Sequence, residues 1–126
     1  MKRTISTSEA PAAVGAYSQA TTDGDLIVTA GQLPLTPDGE LLDDASVGEQ
    51  TEQCLENVEA ILASEGGSLE DVLKTTVFLD DIEDFEEFNE VYSGFFDEEP
   101  PARSAVEVGN VPKGAAIEIE ALATTE

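Results

Sequence analysis

Leu73-Lys74-Thr75-Thr76-Val77-Phe78-Leu79 lies between two segments of helical periodicity and itself alternates with a period of two. Leu73, Thr75, Val77 and Leu79 fall on one side, and Lys74, Thr76 and Phe78 on the other, which predicts a strand covered on both faces. Upstream, Ser46 and Glu49 have the spacing of a capping box. Val47, Cys54, Leu55, Val58, Ile61 and Leu62 follow at helical spacing until Gly66-Gly67, predicting an amphipathic helix of about five turns. Downstream, Asp81 or Asp84 caps a second helix whose stripe is Ile82, Phe85, Phe88, Tyr92 and Phe95 or Phe96. Aromatic residues at that spacing read as core rather than as a ligand cage.

Outward from this helix-strand-helix centre the signals are β. Residues 14–20 and 26–31 read as strands joined by an Asp23-Gly24 hairpin turn, and Thr36-Pro37-Asp38-Gly39 makes another turn. Residues 102–108 and 116–123 read as the last two strands, with Val111-Pro112-Lys113-Gly114 turning between them, and a short strand is expected around residues 2–5. With no linker or repeat, residues 1–126 form one α+β domain, a single mixed sheet with two helices on one face. The other face is expected to carry Val28, Val77, Val106 and Ile119, too apolar to leave wet. Two helices cannot cover both faces, so self-association is the economical solution, with sites between subunits.

Charge narrows the function classes. Five basic residues face 28 acidic ones, a formal net charge of −23. Such a surface repels phosphate backbones, so nucleic acid is a poor partner. The carboxylates are spread through periodic, apolar-containing segments rather than gathered in a tail, and lysine is nearly absent. That combination suits concentrated salt, where the screening length falls to about 3 Å at 1 M, and it points to a halophile's cytoplasm. No signal peptide and no apolar run of about 20 residues is evident. Cys54 is alone, which excludes an intrachain disulfide, and its helical setting suits a small buried hydrophobe.

Without histidine the chain has neither a histidine-based triad nor a zinc site built on histidine and cysteine, and it carries no phosphate-binding glycine loop. Arg103, at the start of Ala102-Arg103-Ser104-Ala105-Val106, is the one guanidinium inside the body of the chain. It needs a negative partner, either a protein carboxylate or a bound anion, and its planar fork suits a carboxylate. Other polar groups near apolar sequence are Tyr17, Gln32, Asn89, Glu118 and Glu120. Each also has a structural reading: Tyr17 as a rim ring, Asn89 as a cap or bridge, and the two glutamates as solvated residues of one sheet face.

Ordered blocks along the whole chain resemble the RidA/YjgF family of reactive-intermediate deaminases. They include Gly15-Ala16-Tyr17-Ser18-Gln19, Ala30-Gly31-Gln32-Leu33-Pro34, Gln53-Cys54-Leu55-Glu56-Asn57-Val58, Lys74-Thr75-Thr76-Val77-Phe78-Leu79, Pro101-Ala102-Arg103-Ser104 and Ile117-Glu118-Ile119-Glu120-Ala121. The resemblance implies a chorismate-mutase-like α+β fold in a homotrimer with clefts between neighbouring chains. It also implies that another strand separates the last two, despite their hairpin-like turn. The implied reaction is hydrolysis of 2-imino acids, or their enamine tautomers, to 2-oxo acids and ammonia, with no metal or organic cofactor. Carried onto these positions, Arg103, Glu120 and Tyr17 would be catalytic. Asn89 would orient substrate or Arg103, and main-chain groups at Ala30, Gly31 and Ala105 would line the reacting end. Ala105 stands where many members carry cysteine, and Ala30 where serine is frequent, which removes those side chains from the chemistry. Competing readings are a non-catalytic module binding 2-oxo acids or acting as a holdase, a subfamily acting on other imines, and an endoribonuclease, which the scarcity of basic residues disfavours.

Overall fold

The computed structural model describes residues 1–96 and 98–125. Its elements are β1 (Arg3–Ile5), β2 (Ala20–Thr22), β3 (Leu26–Thr29), α1 (Val47–Ala63), β4 (Val72–Leu79), α2 (Phe85–Phe95), β5 (Ala102–Glu107) and β6 (Ile117–Thr124). The capping box forms as expected. Ser46 Oγ accepts from the Glu49 N–H at 3.1 Å, and Glu49 Oε1 accepts from the Ser46 N–H at 3.2 Å. The helix ends where Gly66 takes φ +81° and the Gly67 N–H returns to the Leu62 carbonyl at 2.9 Å. Ser46→Ala removes one half of the box, and the expected loss is about 1 kcal/mol of stability. A denaturant titration with an unchanged midpoint would refute that cap's contribution.

The six strands form one sheet in the order β1-β2-β3-β6-β4-β5. Neighbours are antiparallel except β4 and β5, which run parallel. A parallel neighbour requires a crossover, and α2 supplies it. β4 lies between the last two strands, so the turn before β6 does not close a hairpin.

Both helices cover the same face. Cys54, Leu55, Val58, Ile61 and Leu62 of α1 and Phe88 and Tyr92 of α2 pack with Val77, Leu79, Ile117, Ile119, Ala121 and Ala123 of the sheet. Val77 and Ile119 are therefore in the helix-covered core, contrary to their expected place on the open face. Val28 and Val106 do lie on the open face and are 50% and 44% exposed. β4 is covered on one face within the chain, its Lys74, Thr76 and Phe78 being only partly buried. A register irregularity between Val72 and Lys74 explains the parity error at its start: Val72 turns inward, while Leu73 turns out to solvent.

Residues 14–19 are loop rather than strand. Gly15 takes φ +129°, incompatible with a continuous extended run of ordinary residues. The Gln19 side chain ties this loop to the segment before it by accepting from the Thr7 N–H and donating to the Thr7, Ala10 and Pro11 carbonyls. In the second helical segment Asp81 caps a short 3-10 turn, accepting from the Glu83 N–H at 2.9 Å, and α2 proper begins at Phe85. Ile82 consequently leaves the apolar stripe and is exposed.

Candidate functional site

β5 is the edge strand beyond β4, and its register sets Arg103 opposite Thr75, on the helix-covered face. There the side chain runs against α2. The guanidinium carbon lies 4.8 Å from the Tyr92 ring centroid and 5.4 Å from those of Phe85 and Phe88. Asn89, one turn along the same helix, accepts from Arg103 Nη1 through its Oδ1 at 2.7 Å. The aromatic stripe is thus core on one side and a cage for a cation on the other. Tyr92 shares a 2.7 Å hydrogen bond with Thr75, and burial pushes its phenol up, so the ring presents neutral π density to the guanidinium.

The ion pair within 4.0 Å among the described residues is Arg3 with Glu65, not one involving Arg103. A partly buried guanidinium held by three rings and one neutral amide keeps donors directed elsewhere. Such a group accepts a carboxylate with little reorganisation. Ala105 follows two residues along β5 on the same face, opposite Val77.

Glu118 and Glu120 belong to the opposite face. They stand across from Phe78 and Thr76 of β4, both partly buried. Between the Val28–Leu122 pair and the Gln32–Ile119 bridge the register slips by one residue, and this bulge brings Gly31 against Glu118. A Cβ on Gly31 would meet Glu118 Oε2 at 2.5 Å. Only glycine permits that approach without displacing the carboxylate. Burial, and after it the charge of Glu120, holds the Glu118 carboxyl above the usual carboxylate range. Ala30, next to Gly31, donates its N–H to the Gln19 carbonyl at 2.8 Å, tying this loop to the one that carries Tyr17. The Tyr17 ring is exposed, and its Oη accepts from the Val14 N–H at 3.4 Å.

The residues singled out from sequence therefore fall into two groups. Arg103, Asn89 and Ala105 lie on the helix side of the β4–β5 edge. Gly31, Glu118 and Glu120 lie at the open face, with Ala30 adjoining them and Tyr17 tied in through its loop. Thr75, opposite Arg103, and Ala121, opposite Thr75 on β6, are buried in the core, whereas Glu118 and Glu120 alternate with core residues on β6, so the sheet separates the guanidinium from the carboxylates. Sequence alternation treats Glu118 and Glu120 alike. The bulge that packs Glu118 on Gly31 has no signature in hydrophobic period, and the paired glycine and glutamate blocks are its only trace.

The chain matches the model of the family described as Endoribonuclease L-PSP over residues 7–125. It is 46% identical over 127 residues to the Escherichia coli protein named 2-iminobutanoate/2-iminopropanoate deaminase, spanning 98% of each chain. It is 48% identical over 126 residues to a RutC family protein of Pyrococcus horikoshii, spanning all of both. The structure of E. coli TdcF with bound serine superposes with a TM-score of 0.92 at 43% identity, covering 97% of this chain and 98% of that one. A match of this extent in sequence and fold makes the chain a member of the Endoribonuclease L-PSP family, the RutC/YjgF group.

Proposed function

We propose that the protein hydrolyses 2-imino acids, or their enamine tautomers, to 2-oxo acids and ammonia in sites assembled between copies of the chain. The observation that carries this reading is Arg103: in a chain of net charge −23, the one interior guanidinium is held by aromatic rings and an amide. A 2-imino acid presents a carboxylate beside an electrophilic C=N carbon. The carboxylate takes the Arg103 fork, with Asn89 fixing the fork's plane. Water then attacks the carbon as the C=N π pair moves to nitrogen. Glu118, packed on Gly31, accepts the water's proton and gives it to nitrogen, forming the carbinolamine; it then takes the hydroxyl proton and passes it to the amine, so that the C–N bond breaks, ammonia leaves and C=O remains. The resemblance gives this proton transfer to Glu120; its assignment to Glu118 rests on the packing against Gly31 and the raised carboxyl, with Glu120 supplying the charge beside it. Tyr17 orients substrate, and main-chain groups at Ala30, Gly31 and Ala105 line the reacting end. Water attacks an already activated carbon, so the step calls for no metal or organic cofactor.

A homotrimer supplies what one chain lacks. The sheet puts Arg103 and Glu118 on opposite faces, and the open face exposes Val28 and Val106. A neighbour seated there covers the apolar surface and brings its Arg103 edge toward Glu118. The acidic surface opposes this assembly at low salt, so trimer and activity rise together between 0.1 M and 1 M KCl as the screening length falls from about 10 Å to about 3 Å. A halophile's cytoplasm provides such conditions.

The endoribonuclease in the family's description would need cationic phosphate contacts, and five basic residues against 28 acidic ones argue against them. Serine bound in TdcF favours a second reading, a module that binds amino or 2-oxo acids without turnover. One assay separates the two. An amino-acid oxidase generates 2-iminopropanoate in molar KCl, and its loss is timed with and without the protein. Accelerated loss is the expected result; saturable 2-oxo acid binding with no acceleration would establish the binding module instead.

A further inference from the structure

Asn57 of α1 is 1% exposed, yet its side chain is wholly polar at the tip. Its Nδ2 donates to two carbonyls of the segment after β3, Leu33 at 3.2 Å and Leu35 at 2.9 Å. Its Oδ1 accepts from Gln53 Nε2 at 3.0 Å, one helical turn away. The amide thus spends both ends on fixing one stretch of backbone. That stretch begins at Gly31, and its other anchor is the Gln32–Ile119 bridge, with N···O distances of 2.7 and 3.1 Å. The bridge holds Gln32 beside β6, while Asn57 holds the two residues flanking Pro34. Together they fix the backbone that follows Gly31, the residue packed on Glu118.

We infer that Asn57 is a positioning residue of the site, its two hydrogen bonds holding the Gly31 loop closed over Glu118. The inference rests on the imine-hydrolysis reading given above. Packing alone would be met by leucine, which has nearly the same volume and no desolvation cost. A buried amide that bonds two carbonyls of one loop instead specifies that loop's position. The loop is the neighbour that shields Glu118 on this side. On the same face of the sheet the charged group beside this carboxylate is Glu120 along β6, whose charge raises it; the buried thiol of Cys54 on α1, itself pushed well up by burial, lies across the sheet. From β4, Phe78 and Thr76 bring no charge.

The test uses Asn57→Leu and Gln53→Met in the full-length protein, with the pH dependence of 2-iminopropanoate hydrolysis as readout. Gln53 is only partly buried, and losing its amide removes the brace on Asn57 without opening the core. Loss of the clamp is expected to lower kcat roughly a hundredfold in Asn57→Leu, because reacting groups misplaced by about 1 Å cost that much. Gln53→Met loses about tenfold or less, the worth of one hydrogen bond. In both, KM changes little, since Arg103 lies on another element. The acid limb of kcat moves to lower pH as water reaches Glu118, a shift that a smaller folded fraction cannot produce. An acid limb left in place in the folded variants, or in Gln53→Met alone if Asn57→Leu does not fold, overturns the inference. Absence of hydrolysis by the unmodified protein would instead overturn the parent reading.

Discussion

Arg103→Ala is expected to lose roughly a hundred- to a thousandfold of imine hydrolysis, the usual consequence of removing one charge contact that strengthens in the transition state. The fold should survive, because Arg103 stands on an edge strand and the rings beneath it keep their mutual contacts, Phe88 with Tyr92 at 5.3 Å and Tyr92 with Phe96 at 4.7 Å. Arg103→Lys should fail almost as badly. An ammonium neither lies flat against Phe85, Phe88 and Tyr92 nor offers two parallel donors to a carboxylate. The loss should appear in KM as well as kcat, because the same contact holds the ground-state carboxylate. Near-normal kcat/KM in a folded Arg103→Ala protein would remove Arg103 from the site.

Glu118→Gln should lower kcat by about a hundred- to ten-thousandfold, the range for removal of a positioned acid-base group. Its companion signature is stability. The folded-state pKa of Glu118 is raised above its unfolded value, so its contribution to stability is present at low pH and is lost as pH rises through the raised value. A glutamine, uncharged throughout, escapes that loss. The variant should therefore melt no lower than the parent at pH 7 while being nearly inactive, and a general loss of folding cannot imitate that pair of results. Glu120→Gln should keep activity with its acid limb moved to lower pH, since the Glu120 charge helps to raise Glu118. If Glu120→Gln were the inactive variant and Glu118→Gln the active one, the proton-transfer role would pass to Glu120.

Local chemistry was legible in the sequence where a residue's own side chain decides the outcome. Ser46 and Glu49 cap α1, Gly39 turns at φ +91°, and Phe88 and Tyr92 lie at helical spacing in the core. The two helices and five of the six strands were legible, the second strand lying at Ala20–Thr22 rather than over 14–20, while the placement of β4 between β5 and β6 came from the resemblance rather than from any local signal. Face assignments failed for two reasons: a bulge resets parity at the start of β4, and regular alternation does not say which face the helices cover. Leu73 looks inward by alternation and is outward in fact, and Val77 and Ile119, expected on the open face, are wholly buried under the helices. The strand expected over residues 14–20 is a loop up to Gln19, where Gly15 at φ +129° breaks the extended run. At the site, Arg103 stood out by its isolation among carboxylates. Its aromatic cage did not, because three residues that read as core also face a cation. Alternation did not separate Glu118 from Glu120 and the resemblance pointed to Glu120, while the packing of Gly31 on Glu118 left no local signal.

The central claim is that Arg103 and Glu118, on opposite faces of one sheet, act together across two chains. Mixing Arg103→Ala and Glu118→Gln proteins tests it directly. Each alone is inactive. After subunit exchange in lowered salt and return to molar KCl, about one quarter of the sites should carry both unmutated residues, because each site draws one from each of two randomly chosen neighbours. Recovered imine hydrolysis near that fraction is the predicted result. Complete exchange, shown by mass-tagged chains in mixed assemblies, with no activity recovered would contradict a site shared between chains.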